Sequence, residues 1–204
     1  MSKAPLQQEQ EDILETLGAA RSYVWDDLKS PATAINPPGQ ASDPDVEAAS
    51  GLLLFDAGGT ELVFILQQMP HQWAEGTAII PHVHWQKTTS AAGDVLWRLR
   101  YKHAPIGEVM DAAWSSAIDV TEPVAGTPDT DTADYHMISS FGELDMTGYT
   151  ISHCILYELS RVGGDASDTY GADARLLEFD SHIQVDSQGS IQEFTKQEWP
   201  YDLL

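Results

Sequence analysis

Two histidines separated by one residue, His82 and His84, are the residues of this sequence best suited to chemistry. They lie in a run of β-branched and aromatic residues, 79–85. Because side chains on a strand alternate between its two faces, both histidines would project from the same face and could reach one shared ligand. Neutral imidazole is the commonest protein ligand for metal ions. The pattern therefore makes His82 and His84 candidate ligands of a metal clamp.

Three interpretations of this histidine pair are open from the sequence. In the first, a first-row transition metal ion is shared at a trimer axis, where three chains supply six imidazoles to an octahedral site. In the second, one chain holds a catalytic metal, with His153 or His182 as a third ligand. In the third, both histidines are polar-face residues that hydrogen-bond to neighbouring carboxylates or to solvent.

The residues beside the histidines indicate which face of the strand carries them. Ile79, Val83 and Trp85 alternate with the histidine pair and form the better core face. We therefore expect His82 and His84 on the polar side of a sheet. The same alternation predicts inward-facing side chains in two other segments: Val95, Trp97, Leu99 and Tyr101 in 94–101, and Leu177, Phe179, Ile183 and Val185 in 175–185.

Eight segments have the alternation typical of strands. They are 51–55, 61–68, 78–86, 94–103, 116–121, 134–141, 150–161 and 175–186. Turn signals such as Ala57-Gly58-Gly59 separate them, and no helix of convincing length lies between them. This spacing predicts an all-β fold, an antiparallel β-sandwich or jelly roll of about eight strands, over residues 51–204.

Residues 1–50 differ in character from the rest of the chain. Residues 6–20 contain strong helix formers and predict a short N-terminal helix. Four prolines and Gly39 between positions 30 and 44 predict an extended arm, because proline removes a backbone donor and disfavours helix before it. We expect this arm to dock on a partner, with Trp25, Pro37 and Pro38 as its contact residues.

The charge of the chain excludes several classes of partner. Ten basic residues against 32 acidic residues give a formal net charge of -22. Such a field repels phosphate backbones and anionic lipid, so we expect neither nucleic-acid nor membrane binding.

The single Cys154 cannot form an internal disulfide. The sequence also lacks an apolar run of membrane-spanning length and a secretory signal.

One short motif resembles that of a metalloenzyme family. Gly76, followed by five residues and then His82-Val83-His84, is similar to the opening of the cupin motif. In cupins, both histidines ligate a metal inside a small β-barrel. The family pattern continues with a glutamate three or four residues later, whereas Lys87 and Thr88 stand there in this chain. A cupin-like metalloenzyme is therefore the alternative from the enzyme class.

A broader resemblance, over most of residues 25–195, is to a family of bacteriophage structural proteins. The matching phrases are Trp25-Asp26-Asp27-Leu28, Ile35-Asn36-Pro37-Pro38-Gly39, Ala41-Ser42-Asp43-Pro44, Met69-Pro70-His71-Gln72-Trp73, Pro81-His82-Val83-His84-Trp85, Ile138-Ser139-Ser140-Phe141-Gly142, Asp168-Thr169-Tyr170-Gly171-Ala172-Asp173 and Leu176-Leu177-Glu178-Phe179-Asp180. Members of this family are similar to small β-jelly-roll virion components that decorate heads or form head fibres and tail appendages.

This resemblance implies a non-enzymatic virion protein that is assembled in the host cytoplasm. We expect a capsid decoration (cement) or head-fibre protein that forms a homotrimer and binds the major capsid protein or other virion proteins. The alternative within the virion is a tail or fibre module that binds host glycan. That role would need exposed aromatic side chains, for which Trp25, Trp73 and Trp199 are the candidates.

Overall fold

The computed structural model describes residues 24–123, 132–187, 189–190 and 192–196. Its strands, in chain order, are β1 (Val24–Pro31), β2 (Asp45–Val46), β3 (Leu53–Phe55), β4 (Thr60–Gln68), β5 (Ile80–Lys87), β6 (Asp94–Ala104), β7 (Ile118–Pro123), β8 (His136–Ser140), β9 (Cys154–Val162) and β10 (Ala174–Val185). A short 3-10 helix, Ala32–Ala34, follows β1. The helix predicted within 6–20 lies outside the described residues. In the described ranges, no helix has the length and apolar character needed to cross a membrane.

The strands form two antiparallel sheets that pack as a sandwich. The six-stranded sheet has the order β2-β3-β10-β5-β8, with β1 also paired to β10, and the four-stranded sheet has the order β4-β9-β6-β7. Strand β10 is central to the larger sheet, since β5 pairs along one side of it and both β3 and β1 pair along the other. The prediction of an all-β antiparallel sandwich of the jelly-roll kind is confirmed.

Each of the eight predicted strands is present, and two more strands come from the N-terminal region. Strand β1 pairs with β10 from Val24 opposite Val185 to Pro31 opposite Glu178. Ala32, just after it, is buried in the core. The sandwich therefore begins before residue 51, and β1 ends at Pro31, the first proline of the predicted arm, where the backbone loses a donor.

Aromatic side chains from both sheets meet in the core. Trp85 on β5 and Trp97 on β6 are fully buried, and their ring centroids lie 6.0 Å apart at 64°. Phe55 packs edge-on against Trp97 at 5.2 Å. Such edge-to-face contacts complement the ring quadrupoles and add to the stabilisation from apolar burial. The core faces predicted for 79–85 and 94–101 are confirmed.

One predicted core residue of β10 is wrong because the strand contains a bulge. The pairing with β5 shifts between Leu176 and Glu178. Because of the extra residue, the side chains that precede the bulge point to the opposite face from the one that simple alternation predicts. Leu176 is therefore fully buried in the core, while Leu177 is only half-buried. The alternation after the bulge is as predicted, with Phe179 and Ile183 buried.

A buried glutamine ties the two sheets together at the β1–β4 edge. The Gln67 side-chain amide donates to the backbone carbonyl of Leu28 at 2.7 Å. Its carbonyl oxygen accepts from the Ser181 hydroxyl at 2.8 Å. Because both ends of this buried amide are satisfied, Gln67 can stand between the sheets without the cost of an unpaired polar group.

A fully buried arginine fixes the loop between β9 and β10. Arg161 donates two hydrogen bonds to the Asp168 carboxylate, from Nε at 2.9 Å and from Nη2 at 2.8 Å. It also donates to the backbone carbonyls of Phe55, Ala172 and Tyr170. The guanidinium therefore organises both the end of β3 and the loop that leads into β10.

Candidate metal site on the outer face of the six-stranded sheet

Three side chains from β5 and β10 converge on the face of the larger sheet that points away from the core. His82 pairs directly with Asp180 across the two strands, next to the inward-facing pair Val83 and Phe179. His82 Nε2 lies 2.5 Å from Asp180 Oδ1, and His84 Nε2 lies 3.4 Å from Asp180 Oδ2. One ligand atom from each of the three residues lies within 4.8 Å of the others. The outer-face position predicted for both histidines is confirmed.

These three side chains are nevertheless shielded from solvent. His82 and Asp180 are each 3% exposed, and the side chain of His84 is 19% exposed. A histidine pair on a polar face would ordinarily be solvated, so the burial of His82 is the feature that alternation did not predict. Burial in a less polar surrounding strengthens any charge interaction among the three groups.

Each histidine is oriented through its second ring nitrogen. His82 Nδ1 lies 3.2 Å from the carbonyl oxygen of Ile80, and His84 Nδ1 lies 2.8 Å from Nε2 of His136 on β8. Partners of this kind fix both the tautomer and the rotation of an imidazole. The Nε2 atoms of both histidines are thereby left facing Asp180.

The protonation of the two histidines is shifted in opposite directions. Burial disfavours the charged form of His82, but the short contact with Asp180 and its negative charge outweigh burial and raise the pKa of His82. Burial lowers the pKa of His84, and the neighbouring His82 and His136 lower it further against the opposing charge of Asp180. The two imidazoles are therefore inequivalent even though they lie on one strand face.

Further polar side chains, next to the three candidate ligands, connect this cluster to β1. The ring centroid of His182 lies 4.2 Å from that of His82, and His182 Nε2 lies 3.1 Å from Asp27 Oδ1. The ring of Trp25, which is 54% exposed, lies 6.2 Å from His182. The structure thus brings Trp25 to the rim of the histidine cluster.

The other predicted residues lie elsewhere. Pro37 and Pro38 are half-buried in the segment between the 3-10 helix and β2. His153, considered as a third ligand, instead lies next to His103 of the four-stranded sheet, with His103 Nδ1 and His153 Nε2 2.8 Å apart. Trp73 is fully buried, which removes it as an exposed glycan-binding aromatic. Trp199 lies outside the described residues.

The sequence missed the carboxylate that completes the cluster. Alternation with Phe179 and Ile183 places Asp180 on the outer face of its strand, but periodicity does not indicate which strand lies beside it. His136 was also missed, since it becomes a neighbour of His84 only through the pairing of β8 with β5. One pattern in the sequence could have indicated Asp180. Glu178, Asp180 and His182 alternate along the polar side of β10, so this strand is a second one that carries metal-ligand residue types on one face.

Two imidazoles and a carboxylate are a donor set suited to a first-row transition metal ion. The location differs from the barrel interior implied by the cupin resemblance, because His82 and His84 lie on the side opposite the core residue Trp85. It also disfavours a shared trimer axis, since His82 already contacts Asp180 of its own chain and has little exposed surface.

No protein-family model matches the chain, and no curated protein matches its sequence. Among solved structures, the chain is similar to CBM35 from Cellvibrio japonicus Abf62, with a TM-score of 0.40 and 8% sequence identity. The match covers 78% of this chain and 92% of the other. Such a likeness says nothing about the function of this chain.

Proposed function

We propose that this chain is a non-enzymatic structural protein of a bacteriophage virion, a head decoration or head-fibre protein that assembles as a homotrimer. The resemblance of residues 25–195 to phage structural proteins motivates the proposal. On the molecule, the observation that carries it is the edge strand β1, which pairs only with β10 among the described strands. An edge strand with exposed apolar side chains is a surface prepared for contact with another chain.

The exposed side chains at the start of β1 fit this role. Val24 is 56% exposed and Trp25 is 54% exposed. Tryptophan is among the residues that contribute most to protein interfaces when it is buried by a partner. In a chain with a net charge of -22, apolar contacts of this kind also avoid the repulsion that acidic surfaces would impose on neighbouring copies. The partners would be other copies of this chain and the major capsid protein.

The arrangement of the reactive side chains supports a role without catalysis. The Ser152 hydroxyl lies 3.3 Å from His71 Nε2, and the Ser190 hydroxyl contacts the Nδ1 of the same ring. In a Ser-His-Asp triad, a carboxylate at the Nδ1 of the histidine stabilises the imidazolium by its negative charge. The Ser190 hydroxyl at His71 Nδ1 does not supply this charge. At the candidate metal site, the burial of His82 and Asp180 leaves little surface for a substrate.

The test is to purify virions of the phage that encodes the chain and to quantify the chain against the major capsid protein by mass spectrometry. We expect a fixed copy number, and a homotrimer when the free protein is examined by native mass spectrometry. Trp25→Ser should reduce incorporation into virions, whereas Val109→Ser, at a side chain that is 89% exposed in the β6–β7 loop, should not. Virions that lack the chain would refute the proposal.

A second candidate function, binding of a host glycan in a tail or fibre module, is favoured by an aromatic pair on the four-stranded sheet. The rings of Phe64 and Trp114 are nearly parallel, with 11° between their planes and 5.8 Å between their centroids. Lys102 Nζ lies 4.9 Å from the Trp114 ring centroid, and Arg100 also lies over this ring. Aromatic faces beside polar groups are surfaces on which sugar rings can stack.

A glycan array probed with the purified chain and with Trp114→Ala separates the two functions. Binding that is lost in Trp114→Ala and kept in Trp25→Ala would favour the glycan-binding module. If the unmodified chain binds no glycan on the array, the assembly role supported by the exposed Val24 and Trp25 is the one that stands.

A further inference from the structure

We propose that His82, His84 and Asp180 form a binding site for one divalent first-row transition metal ion within a single chain, with His136 as a positioning residue. The site is independent of the virion role and of any trimer axis. It rests on three observations: the direction in which the ring nitrogens face, a buried carboxylate oxygen without a donor, and the chemistry of the donor set.

The contacts of the ring nitrogens leave unshared electron pairs facing one another. A backbone carbonyl can only accept a hydrogen bond, so the Nδ1 of His82 carries the proton that is donated to Ile80. In the neutral imidazole, Nε2 then presents a lone pair to Asp180 Oδ1 at 2.5 Å. Two acceptors at this separation repel each other unless a positive charge lies between them. That charge is supplied either by a second proton on His82 or by a metal ion.

The carboxylate shows the same deficiency of positive charge. Asp180 is 3% exposed, and its Oδ1 accepts no hydrogen bond of adequate geometry from the described residues. The proximity of His82 Nε2 therefore does not amount to a well-directed N–H donor. An unpaired buried carboxylate oxygen is costly, and such groups in folded proteins are either paired or bound to a metal. A cation held jointly by the oxygen and the imidazole nitrogen would satisfy both atoms.

The donor set selects the class of metal. Imidazole nitrogens favour zinc and its neighbours over magnesium and calcium, which prefer sites made of oxygen ligands. Metal–ligand distances of about 2.1 Å in tetrahedral geometry place neighbouring ligand atoms about 3.4 Å apart. The distance of 3.4 Å between His84 Nε2 and Asp180 Oδ2 agrees with this spacing. His82 Nε2 and Asp180 Oδ1, at 2.5 Å, would separate slightly as the ion enters.

His136 holds one ligand in place without binding the ion. Its Nε2 lies 2.8 Å from the Nδ1 of His84, the nitrogen that faces away from Asp180. When His84 Nδ1 donates to His136, His84 Nε2 is free to bind the metal. Loss of such an orienting partner typically weakens metal binding by about 10- to 100-fold.

The experiment is a titration of the full-length chain, stripped with chelator and dialysed, with Zn²⁺ by isothermal titration calorimetry. We expect one Zn²⁺ per chain, and an affinity at least about tenfold weaker in Asp180→Asn and in His84→Gln. Asp27→Asn is the matched control, because this carboxylate lies at the rim of the cluster beside His182 and outside the ligand set. Its affinity should stay within about threefold of that of the unmodified chain.

The Co²⁺-loaded chain gives a second readout that does not depend on affinity. Its visible absorption should report imidazole and carboxylate coordination, and the Asp180→Asn spectrum should differ from that of Asp27→Asn. Circular dichroism verifies that each variant is folded, and His84→Gln decides the question if Asp180→Asn does not fold. Absence of Zn²⁺ binding, equal affinity in Asp180→Asn, or one ion per three chains would overturn the proposal. The first of these would mean that a proton on His82 supplies the charge.

Discussion

Replacement of the buried Arg161 by methionine should destabilise the protein strongly. The guanidinium is fully buried and donates to the Asp168 carboxylate and to three backbone carbonyls. Methionine replaces the aliphatic part of the arginine side chain and has no donor, so Arg161→Met retains part of the packing while it removes every one of these hydrogen bonds. Asp168 would stay in place with a side chain that is only 1% exposed.

The expected cost is about 3–5 kcal/mol in the free energy of unfolding, the range for breaking a buried ion pair by removing one partner. Most of this cost arises from the buried carboxylate, which loses its positive partner and keeps the hydrogen bond that the Leu96 N–H donates to it at 3.0 Å. The carbonyls add the penalty of lost donors. For a domain of this size, the same loss corresponds to a fall in melting temperature of roughly 6–20 °C. Since ordinary domains are stable by about 5–15 kcal/mol, the variant should lose a large fraction of its stability.

The matched control is Arg98→Met on β6. Arg98 also makes two hydrogen bonds to one carboxylate, that of Asp119, at 2.6 and 2.7 Å. The side chains of this pair are 34% and 41% exposed, so solvent screens their interaction and its loss should cost at most about 1 kcal/mol. Urea unfolding followed by circular dichroism measures both variants under the same conditions.

In both pairs a guanidinium donates two hydrogen bonds to one carboxylate, so the comparison measures burial together with the three backbone carbonyls that Arg161 also contacts. Equal destabilisation by Arg161→Met and Arg98→Met would refute the reasoning that burial sets the cost. A double variant, Arg161→Met with Asp168→Leu, should recover part of the stability lost in Arg161→Met, since it removes the unpaired charge. Failure of the double variant to recover stability would place the cost in the backbone groups instead, namely the three carbonyls and the Leu96 N–H that loses its acceptor.

Two further predictions concern a histidine pair and a glycine. Burial, and then the neighbouring His103, lower the pKa of His153 from 6.5 to about 4. The unfolded chain therefore binds the proton first, so stability is fully present above pH 6.5 and should fall by roughly 3 kcal/mol towards pH 4. His153→Phe should lose this part of the pH dependence in urea unfolding, and an unchanged dependence would contradict the assignment. Gly163→Ala would place a Cβ 2.6 Å from the carbonyl oxygen of Ala57 and should cost about 1–3 kcal/mol, whereas Gly171→Ala, in open space, should be nearly neutral in thermal unfolding.

The strands and most core faces could be predicted because their signal is local. Alternation around Val83 and Trp85 and around Trp97 reports which side of a strand is buried, whatever strand lies next to it. The same local signal placed His82 and His84 correctly on the outer face of their sheet. It failed at Leu177, because a bulge inserts a residue into the alternation without a change in composition.

The completion of the candidate site could not be predicted, because it depends on which strands are neighbours. Asp180 reaches His82 only through the pairing of β10 with β5, two strands that are far apart in the sequence. Strand β1 was missed for a related reason. Its residues are mostly exposed, so the segment from Val24 to Pro31 lacks the alternation of a half-buried strand and is held by its backbone pairing with β10.

The central position of β10 has a consequence for how the protein is made on the ribosome. Strands β1, β3 and β5 are translated well before β10, yet each of them hydrogen-bonds to it. The larger sheet therefore cannot be completed until residue 185 has left the exit tunnel. Until then, β1, β3 and β5 have unpaired backbone groups on the edges that later pair with β10, and nascent chains with such edges are prone to aggregation. A ribosome that stalls before residue 174 would release a chain without the strand that joins its sheet.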